Sequence, residues 1–208
     1  MRLRIIFSKT GSLRYIGHLD LHRIWIRTCR RSGIPLSYSQ GFHPQPRISL
    51  ASALPLGFVG LAEIVDIWLD QDVEEKKVLT DLKNAAPPGL ILSSIQRIDP
   101  LQPALQTQVQ SADYEVLFLD PVDIFQLASS LEILKSSITL PRLRRNKPYD
   151  LRPLLESVDI KSGSSQAQVL FMRLKSSPAA TGRPEEVLAE LGINHENTRI
   201  TRTQLNLN

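Results

Sequence analysis

"HLDLHRIWIRTCRRSGIP", residues 18–35, is where the hydrophobic period of the chain changes. Leu21, Ile24, Trp25 and Thr28 recur at i, i+3, i+4 and i+7, a single helical stripe running from His18 to about Arg31. Gly33 and Pro35 end it, a glycine just past the last turn and a proline soon after. Upstream, residues 2–8 (RLRIIFS) read as a strand, and 11–17 (GSLRYIG) as a glycine-bounded connection. Downstream, RISLA (47–51) reads as a short strand and AEIVDIWLD (62–70) as a strand covered on both faces. An amphipathic helix over 73–85 follows, with Val78, Leu79 and Leu82 inward. PPG breaks it, and LILSSIQRI (90–98) is a further strand.

The element order is therefore β-α-β-β-α-β, the ferredoxin-like arrangement, in which helices cover one face of an antiparallel sheet and leave the other for a partner. Residues 99–112, with two prolines and four glutamines, read as a linker. The order then resumes. DYEVLFLD (113–120) is a strand, and a helix runs from Pro121 to about Ser136 with Asp120 as its cap. AQVLFMRLK (167–175) is a strand, GRPEEVLAELG (182–192) a short helix and TRITRTQLNL (198–207) a last strand. The second strand of this half is blurred by the 139–153 segment. The expected class is α+β, tandem ferredoxin-like halves: a domain over 1–100, a linker over 101–112 and a more divergent domain over 113–208. A single mixed α+β domain built from the same elements is the alternative.

The 208 residues, 42% hydrophobic and 22% charged, have the composition of a globular protein. No stretch approaches the roughly 20 apolar residues needed to span a bilayer, and the start has no apolar run of the signal-peptide kind. With Cys29 alone there is no internal disulfide and no cysteine pattern for zinc or iron–sulfur binding. The expected location is cytoplasmic, with no membrane partner. The formal net charge is only +4, but residues 1–50 hold nine Lys/Arg against one acid, Asp20, whereas 51–100 hold four against eight. A one-ended basic charge points to a polyanion.

The first helix carries Arg23, Arg27, Arg30 and Arg31 opposite its apolar stripe, a guanidinium face with Asp20 as its one nearby counter-charge. Arginine grips phosphate with a planar fork and stacks on bases. His18 and His22 stand four apart, but Asp20 falls on another side and Cys29 is too distant, so no metal site is expected. His18, near the helix start, is a candidate base. In YSQGFHPQPRIS (38–49), Pro44 and Pro46 stiffen the chain. Tyr38, Phe42 and His43 offer rings for base stacking, and Arg47 offers a phosphate contact. His43 with Arg47 would also suit metal-independent phosphodiester cleavage. The plainer reading is a proline-rich loop whose Phe42 plugs the core. A second basic cluster, Arg142, Arg144, Arg145 and Lys147 with Tyr149, could track phosphates. No phosphate-binding glycine loop or nucleophile elbow is present, and no cofactor is expected.

The combination TGSLRYIGHLDL (10–21) with PLSYSQGFHPQPRIS (35–49) resembles a bacterial family of uncharacterised proteins found beside, or fused to, a radical S-adenosylmethionine (SAM) protein. The likeness is dense over 3–70 and thinner to the end. It implies a radical SAM partner, while the three-cysteine cluster motif of the radical SAM enzymes is absent from this chain. The family's loop often carries Asn at the position of His43, so the resemblance attaches no fixed catalytic role to His43. The tandem element order is also similar to RAMP-type RNA-binding proteins, which favours RNA over DNA as the polyanion. Three functions follow: an RNA-binding accessory protein acting with a radical SAM enzyme on tRNA or rRNA, a metal-independent ribonuclease using His18 or His43, or a protein–protein adaptor.

Overall fold

The computed structural model describes residues 1–144, 146–162, 168–177 and 179–208, which form two compact units, Met1–Val109 and Gln110–Asn208. The fold is mixed α/β, with mostly antiparallel strand pairing and five α-helices among the described residues. No helix is long and apolar enough to cross a membrane among them.

Alternation sets up the first unit. In β1 (Arg2–Lys9), Leu3, Ile5 and Phe7 are fully buried on one side, and Arg2 and Arg4 point to the other. β3 (Val59–Trp68) pairs with one edge of β1, with Ile5 opposite Val65 and Arg4 opposite Asp66, and β4 (Leu90–Ile98) pairs with the other. β2 (Ile48–Leu50) adds to the far side of β3, giving the order β4-β1-β3-β2. Two helices, α1 (His18–Arg31) and α2 (Glu75–Ala85), lay Leu21, Trp25, Cys29, Val78 and Leu82 on the Leu3–Ile5–Phe7 face in one apolar cluster. Trp25 meets Phe7 edge to face, with ring centroids 5.0 Å apart. The buried stripe of α1 is Leu21, Trp25, Thr28 and Cys29, with Ile24 half-buried, so it is rotated slightly from the expected one. The turn before β4 needs Gly89: its φ is +89°, and a Cβ there would come within 2.5 Å of the Thr10 carbonyl oxygen.

The opposite face of β1 holds an internal charge cluster. Asp66 is 0% exposed and accepts from Arg2 at 2.7 and 3.0 Å and from Arg4 at 2.8 and 3.0 Å. Arg4 also donates to Gln108 Oε1 at 3.1 Å, and Arg2 to the carbonyls of Gln102 and Pro103 at 2.7 and 3.0 Å. The stretch expected to be a linker is therefore structured. It contains α3 (Leu105–Gln108), with Leu105 buried, and leads directly into β5 (Val109–Phe118). Its glutamines and prolines lack a hydrophobic period because Arg2 and Arg4 hold it through polar groups.

In the second unit β5 lies between β9 (Gln168–Lys175) and β10 (Thr198–Leu207), and β8 (Leu155–Ser162) pairs with β9, an order of β10-β5-β9-β8. The strand that the sequence blurred is β8. The 139–153 segment that hid it is a separate two-stranded hairpin, β6 (Pro141–Arg144) and β7 (Lys147–Asp150). Helix α4 (Ile124–Ser136) begins later than expected. Its cap is Asp123, which accepts from the amides of Phe125 and Gln126 at 2.9 and 3.1 Å, so Pro121 lies outside the helix. Leu127, Leu131 and Leu134 are its buried side, and Val187 and Leu188 are that of α5 (Pro184–Glu190). Across β5 and β9, Arg173 forks onto Asp113 at 2.6 and 2.9 Å and holds that carboxyl below the usual carboxylate range.

Candidate nucleic-acid interface

Core packing orients α1. With Leu21, Trp25 and Cys29 buried, helical geometry sends Arg23, Arg27, Arg30 and Arg31 to the opposite side, and all four are exposed. Arg23 pairs with Asp20 at 3.0 Å, and both side chains are largely in solvent. The side chains of Arg27, Arg30 and Arg31 have no ion pair or hydrogen bond among the described residues. Three of the nine cations in the first 50 residues are internal: Arg2 and Arg4 on Asp66, and Lys9, whose Nζ donates to the Ile16 carbonyl at 2.9 Å. The surface excess is thereby confined to Arg14, the α1 face and Arg47. His18 stands exposed at the first turn of α1, and His22, on the flank, lies 3.3 Å from the Ile48 carbonyl. Cys29 is a core residue whose thiol is pushed up to about 12 by burial. No cluster of three metal-ligating side chains occurs among the described residues.

The loop after α1 is clamped at its base. Ser37 N donates to the Trp68 carbonyl at 2.7 Å, Trp68 N to the Arg47 carbonyl at 3.1 Å and Arg47 N to the Ser37 carbonyl at 2.8 Å. Further out, Ser39 N donates to the Gln45 carbonyl at 2.8 Å, and Gln45 N returns a bond to Ser39 Oγ at 2.9 Å. The turn beyond needs Gly41, at φ +128°. Phe42 stands at the tip with 102% relative exposure, so the plainer reading of it as a core plug is excluded. His43 beside it is exposed, with no hydrogen bond among the described residues. No carboxylate is bonded to His43 among the described residues to orient it as a base. The Arg47 guanidinium lies 5.0 Å from the Trp68 ring centroid, and Arg2 lies 5.0 Å from the same ring. Tyr38, Arg47, Ser39 and Pro44 line a hollow of about 510 Å³, joined by Asp70 from just beyond β3.

The second basic cluster is divided. Arg142 is internal to the unit: it lies 2.9 Å from Glu190 Oε1 and donates to the Glu186 carbonyl at 2.8 Å. Tyr149 donates to the Glu186 carboxylate, and burial with that contact raises its hydroxyl well above the ordinary value. Arg144 and Lys147 face one another across the hairpin, both exposed, and line a hollow of about 410 Å³ with Thr181. Arg145 lies outside the described residues.

Residues 2–184 match the family model for an "uncharacterized protein conserved in bacteria", DUF2344. The chain belongs to this family. No curated protein matches it. Among solved structures, a chain of a Cbf5-Nop10-Gar1 complex superposes with a TM-score of 0.51 at 7% identity. The alignment covers 98% of this chain and 48% of that one, so the present chain spans about half the length of its match. At that identity the likeness is one of fold alone. A candidate glycine cleavage system transcriptional repressor aligns over 100% of this chain and 96% of its own at 10% identity. Its TM-score is 0.23, which carries no argument.

In this DUF2344 member, Trp68 and Asp70 are the site residues that sequence reading passed over. Both lie more than twenty positions beyond Arg47 and read as ordinary residues of a strand and its end. Pairing of the loop base with β3 brings them to the loop. The exposed tip gives a clean expectation. Phe42→Ala leaves the melting temperature unchanged, because the ring buries nothing in the fold. Were the ring to stack on a base of a single-stranded RNA, the same substitution would be expected to weaken that binding about tenfold or more, since ~1–3 kcal/mol per stacked base is usual. Thermal melts and fluorescence anisotropy on the same samples check both.

Proposed function

We propose that the chain is an RNA-binding accessory protein. It would act on structured RNA such as tRNA or rRNA, beside a radical SAM enzyme, in the cytoplasm. The observation that carries this is the α1 face: Arg27, Arg30 and Arg31 are exposed without counter-charge on a helix whose other side is fixed in the core. Uncompensated guanidinium groups repel one another, and a phosphate backbone relieves that repulsion. The rigid loop supports the same reading by presenting Phe42, Tyr38 and Arg47 in solvent, the aromatic and cationic groups that grip unpaired bases. Arg144 and Lys147, with Arg145 by sequence, form a second candidate phosphate contact; Arg142 and Tyr149 serve the unit's own packing.

On this reading the two units, Met1–Val109 and Gln110–Asn208, are tandem ferredoxin-like halves. The support is that β4-β1-β3-β2 and β10-β5-β9-β8 repeat one order in each. The test is an anisotropy titration of the whole protein against total tRNA and a control duplex DNA from 50 to 200 mM salt. Contacts by about five arginines release counterions, and affinity for RNA then falls on the order of 100-fold across that range. An affinity that does not move with salt, or that favours the DNA, removes the proposal.

An adaptor role is the second reading, favoured by Leu19, 71% exposed on α1 one turn before Arg23. It requires capture of the radical SAM protein that survives nuclease treatment, in a chain with no RNA affinity.

A further inference from the structure

We infer that the hollow at the base of the 38–47 loop is a guanine-reading pocket, with Asp70 as the residue that selects the base. The inference rests on the RNA-binding reading above and adds to it the identity of one base. A bare polyanion surface has no use for a carboxylate beside its cations, since the charge opposes phosphate. Yet Asp70 lines the hollow together with Arg47 and Tyr38, and its carboxylate has no ion pair or hydrogen bond among the described residues. An unneutralised acid inside a phosphate-binding site becomes useful when it accepts hydrogen bonds from a base edge.

Base chemistry makes the choice. An ionised carboxylate is acceptor-only and offers two oxygens side by side. On its Watson–Crick edge guanine presents two adjacent donors, N1–H and N2–H, which match that pair. Adenine presents only its N6 amino group, cytosine only its N4 amino group and uracil only N3–H. Each of these leaves one carboxylate oxygen facing an acceptor or nothing. The ring of Tyr38 supplies a stacking surface. Arg47, held over Trp68 rather than paired with an acid, keeps its fork free for the phosphate of the same nucleotide. A hollow of about 510 Å³ lies within the range of roughly 300–1,000 Å³ common to ligand clefts.

The parts are fixed in advance. Asp70 N donates to the Pro35 carbonyl at 2.9 Å, and Leu36 bridges Leu69, so Asp70 is pinned to the same loop base that holds Tyr38 and Arg47. Pre-organisation of this kind lowers the entropy lost on binding.

The experiment measures binding of three uridine heptamers to the whole protein. One carries guanosine at its centre, one inosine, which lacks the N2 amino group, and one adenosine. Wild type and Asp70→Asn are compared at fixed salt, with circular dichroism to verify that the exposed substitution leaves the fold intact. A hydrogen bond to a charged group justifies a preference for guanosine over inosine of about tenfold. Asp70→Asn is expected to erase that preference. Salt-sensitive binding of all three RNAs with equal affinity overturns the guanine assignment and leaves the RNA-binding reading standing. Binding of none of the three while total tRNA still binds overturns the guanine pocket alone, and binding of neither removes both. A guanosine preference that survives in Asp70→Asn places the reader elsewhere and overturns the role of Asp70.

Discussion

Asp66→Asn is expected to be the most damaging single substitution in the first unit, lowering stability by about 3–5 kcal/mol. Two guanidinium groups, 2% and 6% exposed, rest on one fully buried carboxylate. With Asn in its place, both charges stay in the interior with no anion, and a guanidinium cannot escape by losing its proton. For a domain whose total stability is about 5–15 kcal/mol, that is a large share. The charge count also sets an order among the variants. The cluster holds two cations and one anion, so Arg4→Met leaves a neutral Arg2–Asp66 pair and costs less than Asp66→Asn. In the Asp66→Asn background, Arg4→Met removes one orphaned charge and is expected to recover part of the loss, a coupling that a double-mutant cycle isolates. Urea titrations of the four proteins decide it. Additive losses would mean that Arg4 and Asp66 are not coupled, with Arg4 satisfied by Gln108 instead, and would overturn the charge-count argument.

The same cluster explains why the fold was only partly legible in the sequence. Period and punctuation marked α1, β4 and β10 at their observed limits, because each is set by local pattern: a 3.6-residue stripe closed by Gly33 and Pro35, or an alternating run. Residues 99–112 carry no such pattern, since they are held by Arg2 and Arg4 from a hundred positions away. Composition likewise counts Arg2, Arg4 and Lys9 as surface charge, whereas tertiary structure internalises all three. The cap of α4 illustrates a competition between two nearby aspartates. Asp120 followed by Pro121 has the favoured spacing, but Asp123 is the residue that reaches two free amides. For the candidate site, the α1 arginines were readable because a helix with a fixed apolar stripe fixes its opposite face. Trp68 and Asp70 were not, because their nearness to Arg47 depends on strand register.

Replacing Arg27, Arg30 and Arg31 with Ala is expected to weaken tRNA binding by about two to three orders of magnitude at 100 mM salt. The slope of log affinity against log salt should fall by about two to three, close to one per lost phosphate contact. The three are chosen because they carry no ion pair, whereas removing Arg23 would strand Asp20. Stability is expected to stay within about 1 kcal/mol. Ala relieves the like-charge contacts at i+3 and i+4, each worth a few tenths of a kcal/mol. Against this, the favourable position of Arg30 and Arg31 in the last turn of α1 is lost, at ~0.3–1 kcal/mol apiece. Binding and folding therefore separate cleanly in this variant. The matching triple Lys variant keeps charge and loses the planar fork. It is expected to retain the salt slope while binding more weakly than wild type, which distinguishes general electrostatic attraction from bidentate phosphate recognition. If the Ala variant binds tRNA as wild type does, the arginine face serves another partner. Nuclease-resistant capture by a radical SAM protein, lost in the same variant, would then identify that partner as protein.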